Sequence, residues 1–303
     1  MMSEEITELS SKRILIVGII RNGSKTLLKE IETLATSFSP FGKVSFYIVE
    51  SDSEDNTLNV LNHLKSTVEN FEYISLGNVR KNIDERIARI TYCRNAYVEY
   101  FHKYKHDFDF IAVADLDGVN VLLNANKVLS CWSRSDWDVC TANQLGPYYD
   151  IYALRAENWN EKDCWNEARA LYSSGINPIK AWIASIQKKQ ILIPENSEWI
   201  RVTSAFGGLA IYSKDAFLLG RYDVKTKSES RVSEHVPFNE SISSNDLRIF
   251  INPKLTNFEL NIHNDFNRLS RRIKLAAKYL ISVIHPGFFV KHLMPELQSD
   301  RKG

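Results

Sequence analysis

The sequence predicts an α/β fold built on a mostly parallel, Rossmann-like central sheet flanked by helices. Three observations carry this. Apolar runs of strand length alternate with segments of helical periodicity up to residue 120, in the order β-α-β-α-β-α-β. The run Phe110-Ile111-Ala112-Val113-Ala114 is short and wholly apolar, as suits an interior strand covered on both faces. That run ends in Asp115-Leu116-Asp117-Gly118, which puts two carboxylates at a strand end, where open α/β sheets gather their ligands.

The elements follow in order. Residues 1–11 read as a polar lead-in. Ile14 to Ile20 is a buried-strand candidate, closed by Arg21-Asn22-Gly23-Ser24. Ser24 is placed to cap a helix carrying Leu27, Leu28, Ile31, Leu34 and Ala35. Val44 to Val49 forms a second strand and runs into the acidic segment Glu50 to Asp55. A helix from Thr57 carries Leu58, Leu61 and Leu64, and Phe71 to Leu76 is a third strand. Ile83 to Tyr104 reads as a long helix with Arg86, Arg89 and Arg94 as its basic positions. Leu122 to Trp132 reads as a helix, and Trp137 to Ala142 as a strand. Asn143 to Asp163 is a loop-rich, aromatic stretch. Val202 to Tyr212 reads as one strand interrupted by Gly207 and Gly208, which signals a bulge or a close approach of backbone or ligand. Leu247 to Pro253 is a last strand. Residues 1–266 are read as one domain and 267–303 as a C-terminal extension. In the extension Leu269, Ile273, Leu280 and Ile284 recur at helical spacing among Arg268, Arg271, Arg272, Lys274 and Lys278. Such a basic amphipathic segment, residues 268–294, suits an anionic membrane surface, or packing on the domain with a solvated basic face.

Composition narrows the function classes. With 303 residues the chain can bury a sizeable core. A net charge of +1 gives no global basic field, so nucleic acid is not an expected partner. The four cysteines form no Cys-x-x-Cys pair, which argues against zinc and redox motifs and for free thiols in a reducing cytosol. The first residues have neither a basic nor an apolar signal-peptide region, and no run approaches the ~20 apolar residues of a membrane span. A cytoplasmic protein, peripheral on the inner face of the cytoplasmic membrane, is the expectation.

Carboxylate oxygens are hard ligands, so Asp115 and Asp117 suit Mg²⁺ or Mn²⁺ holding a substrate's phosphates. Further motifs stand in a fixed order around them: Val49-Glu50-Ser51-Asp52-Ser53-Glu54-Asp55-Asn56-Thr57, Arg89-Ile90-Thr91-Tyr92-Cys93-Arg94-Asn95, Phe206-Gly207-Gly208, Ser233-Glu234-His235-Val236-Pro237-Phe238, and His263. Together they resemble a nucleotide-sugar-dependent glycosyltransferase of the GT-A fold over residues 12–265, and within that fold the fungal capsule-associated α-mannosyltransferase group. The resemblance implies transfer of a hexose from a nucleotide-diphosphate sugar to a glycan or lipid-linked acceptor in surface polysaccharide synthesis. It implies Asp117 as metal ligand, Asp115 as ribose or second metal contact, and His263 as the residue completing the metal shell. Glu50 and Asp52 would meet ribose or base, unless their charge serves the start of the helix from Thr57. Arg21 could stack on the base, and Arg86 and Arg94 could neutralise phosphates. Gly207 and Gly208 would let the backbone approach a sugar, with His235 as a neighbouring polar contact. Glu234 stands where inverting enzymes keep a general base; in a retaining enzyme it would orient hydroxyls instead. Trp159, Trp165, Trp182 and Trp199 could stack on sugar faces or fill the core. Two alternatives use the same residues. A sugar nucleotidyltransferase would need a Gly-rich phosphate loop or P-loop lysine, and neither is present. A non-catalytic glycan- or nucleotide-binding protein would use the aromatic middle.

Overall fold

A computed structural model describes residues 9–229, 231–259, 282–294 and 297. One sheet of eight strands runs through it in the order β3-β2-β1-β4-β7-β5-β8-β6. The strands are β1 (Arg13–Ile20), β2 (Lys43–Glu50), β3 (Phe71–Ser75), β4 (Phe110–Ala114), β5 (Val139–Leu145), β6 (Ile200–Val202), β7 (Leu209–Ser213) and β8 (Ile249–Glu259). The first four are parallel to one another. β7 runs against both β4 and β5, β8 is parallel to β5, and β6 runs against β8. The sheet is therefore mostly parallel, as the alternation of strands and helices predicts.

Alternate residues of the inner strands face opposite apolar layers. Leu15, Val17, Ile111 and Val113 join one layer with Cys93, Tyr97 and Phe101 of the helix α3 (Arg86–Tyr104). Ile14, Ile16, Ala112 and Ala114 join the other with α1 (Leu27–Ser37) and α2 (Thr57–Thr67). All eight of these strand side chains are fully buried, which is why β4 reads as an unbroken apolar run. Burial of each larger aliphatic one stabilises the fold by about 1.5–3 kcal/mol.

Some boundaries differ from the sequence reading. Ser24 does not cap α1. That helix begins at Leu27, whose N–H reaches the Gly23 carbonyl, and the Ser24 N–H is bound by Asp55 instead. α3 starts at Arg86 rather than Ile83, because the Glu85 carboxylate accepts the N–H groups of Ile87 and Ala88. The helix expected over Leu122 to Trp132 is reduced to α4 (Ala125–Leu129), capped by Asn124, and a 3₁₀ turn over Ser130–Ser133. The apolar run from Val202 to Tyr212 is two strands, not one. β6 and β7 lie apart in the sheet, and the chain turns between them through Gly207 and Gly208, both with positive φ. β8 continues past Pro253 to Glu259; its register against β5 shifts between Ile251 and Thr256, so the proline sits in an irregularity of the ladder.

Further helices among the described residues are α5 (Cys164–Ser173), α6 (Pro178–Ser185), α7 (Lys214–Leu219), α8 (His235–Ser243) and α9 (Pro286–Leu293). Val290 of α9 and the nearby Leu297 pack with Ala168 and Ile179 of α5 and α6. The boundary at 266/267 and most of the basic segment from Arg268 lie outside the described residues. Among the described residues no helix is long and apolar enough to cross a membrane. All four cysteines are buried and free.

Candidate active site

The parallel register sets Ile20 of β1 beside Glu50 of β2, and Val17 beside Val113 of β4. The carboxyl ends of β1, β2 and β4 therefore open along one edge of the sheet. The residues that follow them, Arg21, Ser51-Asp52 and Asp115-Leu116-Asp117, line a cleft of about 650 Å³. The start of α3 and the 3₁₀ turn after β3 add Arg86, Arg89 and Arg80. The opposite wall comes from the mixed half of the sheet: Tyr149, Asp150, Tyr152, Phe206, Ser233, Glu234 and His235.

Arg94 joins the two walls. Its side chain is 4% exposed. Nε donates to Glu234 Oε1 at 2.9 Å, Nη2 to Asp115 Oδ1 at 3.1 Å and Nη1 to the Tyr97 hydroxyl at 3.1 Å. The guanidinium also lies 5.3 Å from the Phe206 ring centre and 5.6 Å from that of Tyr222. Burial acts against its charge, yet Tyr97, Glu234, Tyr222 and Asp115 more than offset this and hold its pKa above the ordinary value. Each guanidinium nitrogen makes one hydrogen bond to protein, so Arg94 sets the spacing of two carboxylates.

Burial pushes the Asp115 carboxyl up to about 7 against the pull of Arg94, and Asp117, Asp150 and Glu234 push the same way. Its side chain still keeps 30% exposure toward the cleft, so solvent or a ligand reaches it. Its backbone is fixed on both sides. The Asp115 N–H donates to the Gly208 carbonyl at 2.9 Å, and Asn120 Nδ2 donates to the Asp115 carbonyl at 2.7 Å. Asn120 is fully buried and also donates to the buried Glu30 carboxylate at 3.1 Å. Asp117 is exposed, and its carboxylate accepts no hydrogen bond among the described residues.

The other sequence-predicted residues divide. Arg21 and Arg86 line the cleft. Asp52 lines it in a positive-φ conformation, with Oδ1 accepting the Arg80 N–H at 2.9 Å and its carbonyl accepting from Arg21 Nε at 3.2 Å. Glu50 is buried and turned away. Its carboxylate accepts the Ser53 N–H at 3.0 Å and the Ser75 hydroxyl, beside a smaller hollow of about 210 Å³ that also touches Asp52 and Arg80. Gly207 and Gly208 do not line the cleft. A Cβ on Gly207 would stand 2.6 Å from the Ala142 carbonyl oxygen, and one on Gly208 2.9 Å from Val119. The close approach these glycines permit is therefore to the protein itself. Their turn supplies the carbonyl that holds Asp115, and the Gly207 N–H is bound by Asp150 Oδ2 at 3.0 Å. His235 lines the cleft beside Glu234. His263 lies outside the described residues. Trp159, Trp165, Trp182 and Trp199 pack against the apolar layers and not into the cleft.

Sequence reasoning passed over Asp150 and Arg80, and gave no site role to Tyr149, Tyr152 or Phe206 beyond an aromatic stretch and a motif. Asp150 stands in Tyr148-Tyr149-Asp150-Ile151-Tyr152, and an acid among tyrosines in a long loop is the signal that could have found it. Burial raises the pKa of Asp150, opposed by N–H groups of Gly207 and Ala153.

The described residues contain no group of three side chains placed to hold a metal ion. They do offer Asp115 and Asp117, and a small divalent cation bound through one or two carboxylates, water and substrate phosphates needs no more from the protein. The fit is with a metal that arrives with a phosphorylated substrate.

No family model matches this chain, and no curated protein matches its sequence. Among solved structures it is similar to S. aureus TarS (residues 1–349), with 11% identity over 87% of this chain and 64% of the other, and a TM-score of 0.46. It is similar to a mannosyltransferase from Pyrobaculum calidifontis in complex with GDP-Man and Mn²⁺, with 10% identity over 90% and 63%, and a TM-score of 0.46. A third is glucosyl-3-phosphoglycerate synthase from Mycobacterium tuberculosis in complex with UDP, with 12% identity over 93% and 83%, and a TM-score of 0.40. The chain spans less than two thirds of the length of the first two.

Proposed function

We propose that the protein is a metal-dependent glycosyltransferase that moves a hexose from a nucleotide-diphosphate sugar to a hydroxyl of a glycan or lipid-linked acceptor. The observation that carries this reading is the set of charges lining one cleft: arginines Arg21, Arg80, Arg86 and Arg89 from the parallel half, with the carboxylates Asp115, Asp117 and Glu234. Guanidinium groups match phosphate oxygens, and paired carboxylates match a divalent cation bridging them. Asp115 and Asp117 would hold Mn²⁺ or Mg²⁺, which when bound neutralises the charge building on the departing diphosphate. Arg86 and Arg21 bind the nucleotide diphosphate, and Asp52, fixed by Arg80, stands on the same side for ribose or base.

Glu234 Oε1 is taken by Arg94, and Oε2 accepts no hydrogen bond among the described residues. That atom is placed either to take the proton from an acceptor hydroxyl or to fix a donor hydroxyl by a hydrogen bond. The order of motifs, with its likeness to capsule mannosyltransferases, makes GDP-mannose the first donor to try and surface polysaccharide the setting. Residues 268–294 are the segment proposed to meet an anionic membrane. Val283 and Ile284 expose more than half of their surface there.

The test is a thermal-shift panel of UDP, GDP, CMP and dTDP, each with and without Mn²⁺. One nucleoside diphosphate is expected to raise the melting temperature only when the metal is present. Asp117→Ala should weaken that binding by about tenfold or more, the value of one charge-assisted contact. A flat panel, or metal-independent binding untouched by Asp117→Ala, rejects the proposal.

A further inference from the structure

One polar group in the cleft lacks a hydrogen-bond partner among the described residues. The His235 side chain is 4% exposed. It is stacked on Phe206 with ring centres 3.8 Å apart and meets Tyr222 edge-on at 5.6 Å. Both of its ring nitrogens are buried and lack a hydrogen-bond partner among the described residues. The neighbouring carboxylate, Glu234 Oε1, is 3.7 Å from Nε2, beyond hydrogen-bond range. Buried polar atoms are nearly always paired, so an unpaired imidazole on a cleft wall points to a bound group that completes it.

The surroundings say what kind of group. His235 is next to Glu234, which shares one guanidinium with Asp115, so it stands close to where the diphosphate-bearing carboxylates sit. Asp115, Asp150 and Glu234 line this end of the cleft. Its cation is Arg94, and all three nitrogens of that guanidinium are engaged. The arginines able to meet an anion, Arg21, Arg80 and Arg86, come from the other wall. Burial, with Arg94 nearby, holds His235 well below its ordinary pKa, so the ring is neutral, with one donor and one acceptor nitrogen.

We propose that this end of the cleft holds the donor's sugar, that the sugar is uncharged, and that His235 hydrogen-bonds one of its hydroxyls. A hydroxyl both donates and accepts, and so matches either nitrogen of a neutral imidazole. A uronate would instead bring a carboxylate to a wall whose cation, Arg94, is already shared between Asp115 and Glu234, and a buried charge left without a partner is a strong means of rejection. The inference rests on the nucleotide-sugar reading and narrows its substrate class.

The experiment titrates the full chain, in Mn²⁺, with UDP, UDP-glucose and UDP-glucuronate, and with GDP, GDP-mannose and GDP-mannuronate. In the series whose diphosphate binds, the uronate is expected to bind at least about tenfold more weakly than the neutral sugar nucleotide. His235→Phe, which keeps the stacking on Phe206, should leave the diphosphate affinity unchanged and weaken the neutral sugar nucleotide about tenfold. His235→Gln, which restores a donor and an acceptor, should recover most of that loss. Equal affinity for uronate and neutral sugar overturns the inference while leaving the nucleotide-sugar reading standing. So does a His235→Phe protein that binds both ligands like the wild type, or loses both equally. If His235→Phe does not fold, the uronate comparison on the unaltered chain decides. Binding of neither diphosphate removes the nucleotide-sugar reading and this inference with it.

Discussion

The parallel half of the sheet and its mixed half each supply one wall of the cleft, and they hold their side chains by different means. In the parallel half, β1 and β2 pair without interruption from Arg13 and Lys43 to Ile20 and Glu50. Backbone register brings Arg21, Asp52 and Asp115 to a common edge. In the mixed half the ladder between β5 and β8 shifts twice, and long connections take over. Side chains do the positioning there. Asn239 of α8 donates to the Ser204 hydroxyl at 3.1 Å and to the Ala205 carbonyl at 3.0 Å, just ahead of Phe206. Arg155, 4% exposed, binds Asp163 at 3.2 Å and Glu229 at 3.3 Å, tying the loop after β5 to the segment before α8. A wall held by register tolerates the loss of single side chains. A wall held by buried polar pairs does not, because each truncation leaves a desolvated partner behind.

That contrast sets an order of effects. The largest belongs to Arg94→Ala, at the seam between the halves. It leaves Glu234 buried and Asp115 partly buried without their counter-charge and should cost about 3 kcal/mol of stability. Thermal denaturation would register this as a fall of roughly 10 °C in melting temperature; a fall of a degree or two would mean that water replaces the guanidinium and that the seam is looser than described. Next come Asn239→Ala and Gly207→Ala in the mixed wall. The first strands the Ser204–Ala205 loop and should cost about 1–3 kcal/mol. The second forces a side chain into a backbone with φ of 69°, 2.6 Å from the Ala142 oxygen, and should cost a similar 1–3 kcal/mol. Urea titration measures both, and near-neutral values would erase the difference between the walls. The smallest effect lies in the parallel half. Lys65→Met removes the exposed ion pair with Glu72 between α2 and β3 and should leave the unfolding midpoint unchanged.

The same contrast explains what could be read early. β1, β2, β3 and β4 are legible as short apolar runs, because a strand covered on both faces needs an unbroken series of Ile, Val, Leu and Ala. Asp115 and Asp117 are legible because they follow such a run directly. Arg94 was legible as a residue of the site but not in its role. Its place on α3 shows a basic residue, and only packing shows Glu234, 140 positions later, and Asp115 on the same guanidinium. Asp150 was hidden because the loop that carries it has no periodicity to locate it. The run from Val202 to Tyr212 misled because a continuous apolar pattern does not reveal that its two ends pair with different strands.

The sequence by itself determined the α/β class, the order of the parallel strands' elements and the two carboxylates at the end of β4. These depend on local chemistry: burial on two faces, helical spacing, and the position of a polar residue after an apolar run. The tertiary structure alone decided that Glu50 turns into its own loop, that Gly207 and Gly208 serve the Asp115 backbone, and that His235 lines the cleft with neither ring nitrogen partnered among the described residues. Those outcomes depend on which distant groups compete for each hydrogen bond, and that competition exists only once β7, β5 and α8 are packed beside β4.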